Sequence, residues 1–104
     1  MMTSKQRAYL IGIAMNIDPI YNIGKGGISA EFTNGIIEAL EARELIKISV
    51  LRNCDEDPKE LARLLSERTN SEIVQVIGKK IVLYRESKTN KKIELPKVKK
   101  TAEK

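Results

Sequence analysis

The sequence predicts a two-layer α/β domain with elements in the order α-β-α-β-α-β-β and a four-stranded mixed sheet. Three observations lead there. Short apolar runs alternate with segments whose apolar residues recur at helical spacing. Capping residues stand at the start of each helical segment. The last two apolar runs are separated by only Gly78-Lys79, which reads as a hairpin turn. Strands separated by helices imply right-handed crossovers and parallel pairing, with the last strand returning antiparallel.

The first helix should begin after Thr3, because Thr3 with Gln6 makes a T-x-x-Q capping box. Ala8, Ile11, Ala14 and Met15 then repeat at helical spacing, and Asp18-Pro19 closes the segment, since a residue before proline avoids the helical region. Ile20 to Ile23 reads as a short strand and Gly24 to Gly27 as a loop. Ser29 can cap a second helix that buries Phe32, Ile36, Ala39 and Leu40. "LIKISVL" (Leu45 to Leu51) alternates Leu45, Lys47, Ser49 and Leu51 with Ile46, Ile48 and Val50, as a strand does. Asp57-Pro58-Lys59-Glu60 supplies an acidic cap, a proline at the first helical position and a glutamate three residues after the cap. Leu61, Leu64, Leu65 and Arg68 are placed on the inner face of that third helix. Glu72 to Arg85 forms the hairpin. Residues 1–96 are read as one domain in which 87–96 is loosely attached, and 97–104 as a disordered basic tail.

Composition narrows the function. The chain has 104 residues, enough for a modest core but not for a deep cofactor cavity. It has no histidine, which removes the commonest general base and metal ligand. Cys54 is the only cysteine, so no intrachain disulfide forms. Neither a signal-peptide h-region nor a membrane-spanning run is visible, and a cytoplasmic monomer without cofactor or metal is expected. The net charge is +5, of which residues 97–104 carry +3, leaving +2 for the rest. A body so nearly balanced binds phosphate only if its charge is segregated onto one face.

The residues with the sharpest signal are in "IYNIGKGGIS", where three of the six glycines, Gly24, Gly26 and Gly27, surround Lys25. Strand, glycine loop and helix N-terminus together suit an anion: glycine lets backbone amides approach, and the helix adds its dipole. A Walker A loop is not matched. The dinucleotide fingerprint fails at Ser29, and Leu51-Arg52 stands where its acidic residue would be. Gly24-Lys25-Gly26-Gly27 does match G-x-x-G, the loop by which KH-type modules clamp a nucleic-acid backbone.

With "KQRAYL", "PIYNIGKGGIS", "ALEARELIKISVL" and "VQVIGKKIVLYR", the chain from about Thr3 to Arg85 resembles the CRM domain, the chloroplast RNA splicing and ribosome maturation domain typified by bacterial YhbY proteins. The resemblance implies a fold similar to the C-terminal domain of translation initiation factor three. It also implies RNA binding without catalysis, with ribosomal RNA in precursors of the large subunit as the partner. Gly26 departs from the family, in which a larger polar residue is usual.

The expected RNA-binding residues are Gly24, Lys25, Gly26 and Gly27, extended by Lys5, Arg7, Lys79, Lys80 and Arg85. Lys79, Lys80 and Arg85 also fit an ordinary solvated hairpin. Lys5 and Arg7 oppose the helix dipole, so local stability does not explain them. Asp55-Glu56-Asp57 is read as a solvated loop with Asp57 as helix cap, Cys54 as a small loop or edge residue, and Tyr9, Tyr21 and Tyr84 as packing at the edge of the core. The alternative functions are a small nucleotide- or phosphate-metabolite-binding enzyme domain and a DNA-binding architectural protein.

Overall fold

A computed structural model describes residues 2–89 and 91–96. The expected basic tail, 97–104, lies outside them. The elements are α1 (Ser4–Ala14), β1 (Tyr21–Ile23), α2 (Ala30–Arg43), β2 (Leu45–Val50), α3 (Pro58–Thr69), β3 (Glu72–Ile77) and β4 (Lys80–Tyr84), in the expected order. No helix among the described residues is long and apolar enough to cross a membrane.

The caps form as their residue types require. The Thr3 hydroxyl accepts from Gln6 N–H at 3.1 Å while the Gln6 side chain accepts from Thr3 N–H, completing a capping box. Ser29 Oγ accepts from Phe32 N–H, and Asp57 from Lys59 N–H with Pro58 in the first turn. At the other end of α3, Asn70 takes the left-handed conformation (φ 57°) that a short amide side chain tolerates.

The sheet order is β1-β2-β4-β3. β1 lies parallel to β2, with Tyr21 opposite Ile48 and Ile23 opposite Val50. β4 is antiparallel to both its neighbours. β3 therefore runs parallel to β2 without touching it. The α3 crossover leaves one strand's width, and the hairpin returns β4 into that gap.

Alternation along β2 and β4 divides the core. Ile46, Ile48, Val50, Ile81 and Leu83 face α2 and α3, where they meet Ile36, Leu40, Leu61 and Leu65. This is the two-layer unit. Leu45, Val82 and Tyr84 point to the opposite face and are covered by Leu10 and Ala14 of α1. β3 serves both faces because its register slips between Ile73 and Gln75. Val74 joins the α1 side, whereas Ile73 and Val76 pack on the α2–α3 side.

Some expectations need correction. β1 starts at Tyr21 rather than Ile20, whose N–H nevertheless bonds Lys47 O at 2.9 Å. The buried stripe of α1 is Leu10 and Ala14, with Ile13 and Ile17 beside it. Ala8 is exposed, as is Met15. On α3, Arg68 points to solvent and Thr69 is buried, its hydroxyl donating to Leu65 O at 2.7 Å. Cys54 belongs to the core rather than an edge.

The largest correction concerns 87–96, expected to be loosely attached. Two glutamates on the last turn of α2 and just past it hold it. The Glu41 carboxylate accepts from Ser87 Oγ, Thr89 Oγ1 and Thr89 N–H. The Glu44 carboxylate accepts from the backbone N–H groups of Ser87, Lys92 and Ile93 at 2.6–2.7 Å. Ile93 and Leu95 then pack on the α1-side cluster, and Gln6 Nε2 donates to Pro96 O. Polar composition suggested a weak segment, but the required acceptors were waiting on α2.

Candidate nucleic-acid interface

The Gly24–Gly27 stretch is a four-residue turn closed by Gly27 N–H donating to Gly24 O at 3.0 Å. Gly27 has φ +72°, a conformation that L side chains rarely adopt. Neither of the other two glycines has a positive φ. A Cβ on Gly26 would meet nothing within 4 Å, and one on Gly24 would make only ordinary contacts, 3.5 Å from Asn53 Oδ1. The fold itself therefore requires glycine only at 27. At 26 the missing side chain leaves backbone open to the outside, whereas Gly24 is half-buried against Asn53 and Leu51.

A second turn lies beside the first. Leu51 N–H bonds Ile23 O, and Cys54 N–H closes back on Leu51 O at 3.0 Å, putting Arg52 and Asn53 at its tip. Because β1 and β2 are parallel, both turns emerge at the same end of the sheet. The β3–β4 turn shares that end: Val50 N–H bonds Lys79 O, and Ser49 pairs with Lys80. Two strand spacings, roughly 10 Å, separate the glycine turn from the hairpin tip. Lys25, Arg52, Lys79 and Lys80 are all exposed there.

Arg52 is not among the expected residues, and in the sequence it stands out only as the wrong residue for a dinucleotide site. A signal was available: a residue just after β2 must emerge beside the β1 loop if the two strands are parallel. The same end is not purely basic. Glu56 Oε2 would lie 3.6 Å from a Gly27 Cβ, and Glu31 occupies the first turn of α2. Gly27's amide is also spent within the turn. The Gly27 amide is therefore not free for an anion, and the four exposed cations share this end with exposed Glu31 and Glu56 and with Asp55 and Asp57 on either side of Glu56.

Three of the expected residues lie elsewhere. Arg85 follows β4 at the far end, where its N–H bonds Glu44 O. Its guanidinium reaches Glu41 Oε1 at 3.2 Å and Thr69 O at 3.3 Å. It helps anchor the 87–96 segment. Lys5 and Arg7 sit in the first turns of α1, whose Gln6 touches Pro96 at that far end, while Met15 shares a hollow with Lys80 at the glycine-turn end. The length of α1, about 16 Å, thus separates Lys5 from the lysines of the hairpin.

The aromatic rings offer little to bases. Tyr84 is buried, and Tyr21 packs edge-on against Phe32 at 5.5 Å. Tyr9 is exposed on α1.

A family model described as the CRS1 / YhbY (CRM) domain matches residues 2–85. The Bacillus subtilis protein named "Probable RNA-binding protein YqeI" is 52% identical over 96 residues, covering 92% of this chain and 100% of that one. A Haemophilus influenzae protein named "RNA-binding protein" is 34% identical over 96 residues, covering 91% and 95%. The solution structure of the hypothetical protein SAV1595 from Staphylococcus aureus matches with a TM-score of 0.77 at 60% identity, covering 92% of this chain and all of that one.

Proposed function

The chain belongs to the CRS1 / YhbY (CRM) domain family, and from that premise we propose that it is a cytoplasmic RNA-binding protein that assists assembly of the large ribosomal subunit by contacting its RNA. It acts by binding rather than by catalysis. The contact is centred on the end of the sheet where Gly24–Gly27 emerges, with Lys25, Arg52, Lys79 and Lys80 on the phosphates. Lys5 and Arg7 would be reached by a duplex running along α1. Arg85 contributes by holding the 87–96 segment and not by touching RNA.

The observation that carries this reading is that the backbone demands glycine at 27 but not at 24 or 26, in a turn that carries Lys25 and has the cations of two neighbouring turns, Arg52, Lys79 and Lys80, at the same end of the sheet. Bare backbone beside exposed lysine and arginine suits a sugar-phosphate chain, and the shortage of exposed rings favours recognition of phosphate and shape over base edges.

The test is co-sedimentation of the tagged protein with ribosomal particles, paired with titration of mononucleotides and duplex DNA. Enrichment with large-subunit precursors, weak mononucleotide binding and a preference for structured RNA over DNA are expected. Free protein at the top of the gradient would refute the assembly role. Saturable mononucleotide binding would favour the enzyme-domain alternative.

A further inference from the structure

β1 is too short to cover β2. It pairs with Ile48 to Val50, and Ile20 extends contact only to Lys47 O. The direction of the remaining backbone groups follows from the bonds that do form. Lys47 O accepts from Ile20, and Leu51 N–H donates to Ile23, so odd-numbered residues of β2 face β1. Even-numbered positions face β4: Glu44 O accepts from Arg85 N–H, and Val50 N–H bonds Lys79 O. The N–H and C=O of Leu45 and the N–H of Lys47 therefore point out of the sheet with no strand beside them among the described residues.

That open edge lies in a cleft of about 810 Å³. Ile13 and Ile17 of α1 form one wall, Ala42 and Arg43 of α2 the other, and Lys92-Ile93 closes the end. The volume is within the range of ligand clefts, roughly 300–1,000 Å³. Three cations, Arg43, Lys47 and Lys92, line it against one carboxylate, Asp18. None of the three is in an ion pair among the described residues. The Glu44 carboxylate that holds Lys92 acts on its backbone N–H and leaves its ammonium group for the cleft.

We infer that this cleft binds an extended acidic segment of a protein partner, which adds a short strand to the open edge of β2 in line with β1. Its backbone pairs with Leu45 and Lys47, its apolar side chains enter between the helices, and its carboxylates meet Arg43, Lys47 and Lys92. Unpaired strand edges are templates for such addition, and alternating side-chain pockets give it selectivity. An RNA chain offers the charge but neither a matching backbone nor alternating apolar groups. The cleft does not depend on the glycine turn, so this inference stands or falls apart from the RNA reading.

The experiment titrates the full chain with a capped seven-residue peptide alternating valine and glutamate, followed by amide chemical shifts and hydrogen exchange. Saturable binding below about 1 mM is expected, with shifts and slowed exchange at the Leu45 and Lys47 amides. The double variant Arg43→Glu/Lys92→Glu should weaken binding at least tenfold. A peptide with proline at its centre should not bind, and the variant should still bind a ribosomal RNA hairpin, weakened only as its lower net charge requires and to the same extent as a variant with two charge reversals outside the cleft. The inference is overturned by any of three results: no saturable binding, shifts confined to other amides, or displacement of the peptide by single-stranded RNA at those same amides. Dimerisation that protects the Leu45 amide without peptide would overturn it too, since a second copy would then be the occupant.

Discussion

Gly27 and Gly26 look alike in the sequence and differ in what the backbone asks of them. With φ at +72°, Gly27→Val forces a β-branched residue into a strained region at a cost of about 2 kcal/mol, lowering the melting temperature by several degrees and distorting the turn. Gly26→Lys should melt like the parent, because a side chain there meets nothing within 4 Å, and it should bind RNA more tightly by adding a cation. Thermal unfolding and RNA titration of the two variants check both statements. The glycine turn was legible because glycine clusters are rare and have few uses. Glu44 was not legible. It combines φ 68° with full burial, and nothing in "EARELIK" announces a carboxylate serving a segment more than forty residues away. Burial alone would push its carboxyl up, but three backbone N–H donors outweigh that and hold it below its ordinary range. Glu44→Ala should therefore leave buried donors unsatisfied and cost on the order of 3 kcal/mol in chemical denaturation.

At the scale of elements, capping and alternation made the order of helices and strands readable, and the misses have specific causes. The slip between Ile73 and Gln75 could not be read because "EIVQVI" lacks clean alternation, and a bulge was needed to send Val74 to one face and Val76 to the other. The 87–96 segment looked loose because its partners, Glu41 and Glu44, lie on the last turn of α2 and just past it. Hydrogen bonds from the Thr89 and Ser87 hydroxyls hold the Glu41 carboxyl at about 2, below its ordinary 4.5. Its folded value is depressed, so its stabilising contribution is complete above about pH 4.5 and is lost as pH falls through 2. The melting temperature should therefore decline over that interval, and Glu41→Gln should flatten the decline. A variant whose melting temperature falls as steeply as the parent's would remove Glu41 from the account.

At the scale of the whole molecule, the direction of the strands decides which cations stand beside the glycine turn. Parallel β1 and β2 and the β3–β4 turn deliver Lys25, Arg52, Lys79 and Lys80 to one end, while the far end spends Arg85 on Glu41. In the sequence Lys25, Lys79 and Lys80 stand out and Arg52 does not; that the hairpin lysines reach the end of the glycine turn depends on strand order. With about four phosphate contacts, log K for RNA should fall with log salt at a slope of roughly −3 to −4. The most direct measurement of the central claim is the affinity of Lys25→Ala/Lys79→Ala/Lys80→Ala for a short ribosomal RNA hairpin, with thermal unfolding as the control. The account predicts a folded variant that binds on the order of 100-fold more weakly, about 1 kcal/mol per lost contact, with a salt slope reduced by about three. A variant that stays folded and binds the hairpin like the parent would contradict it and move the RNA contact away from the glycine turn.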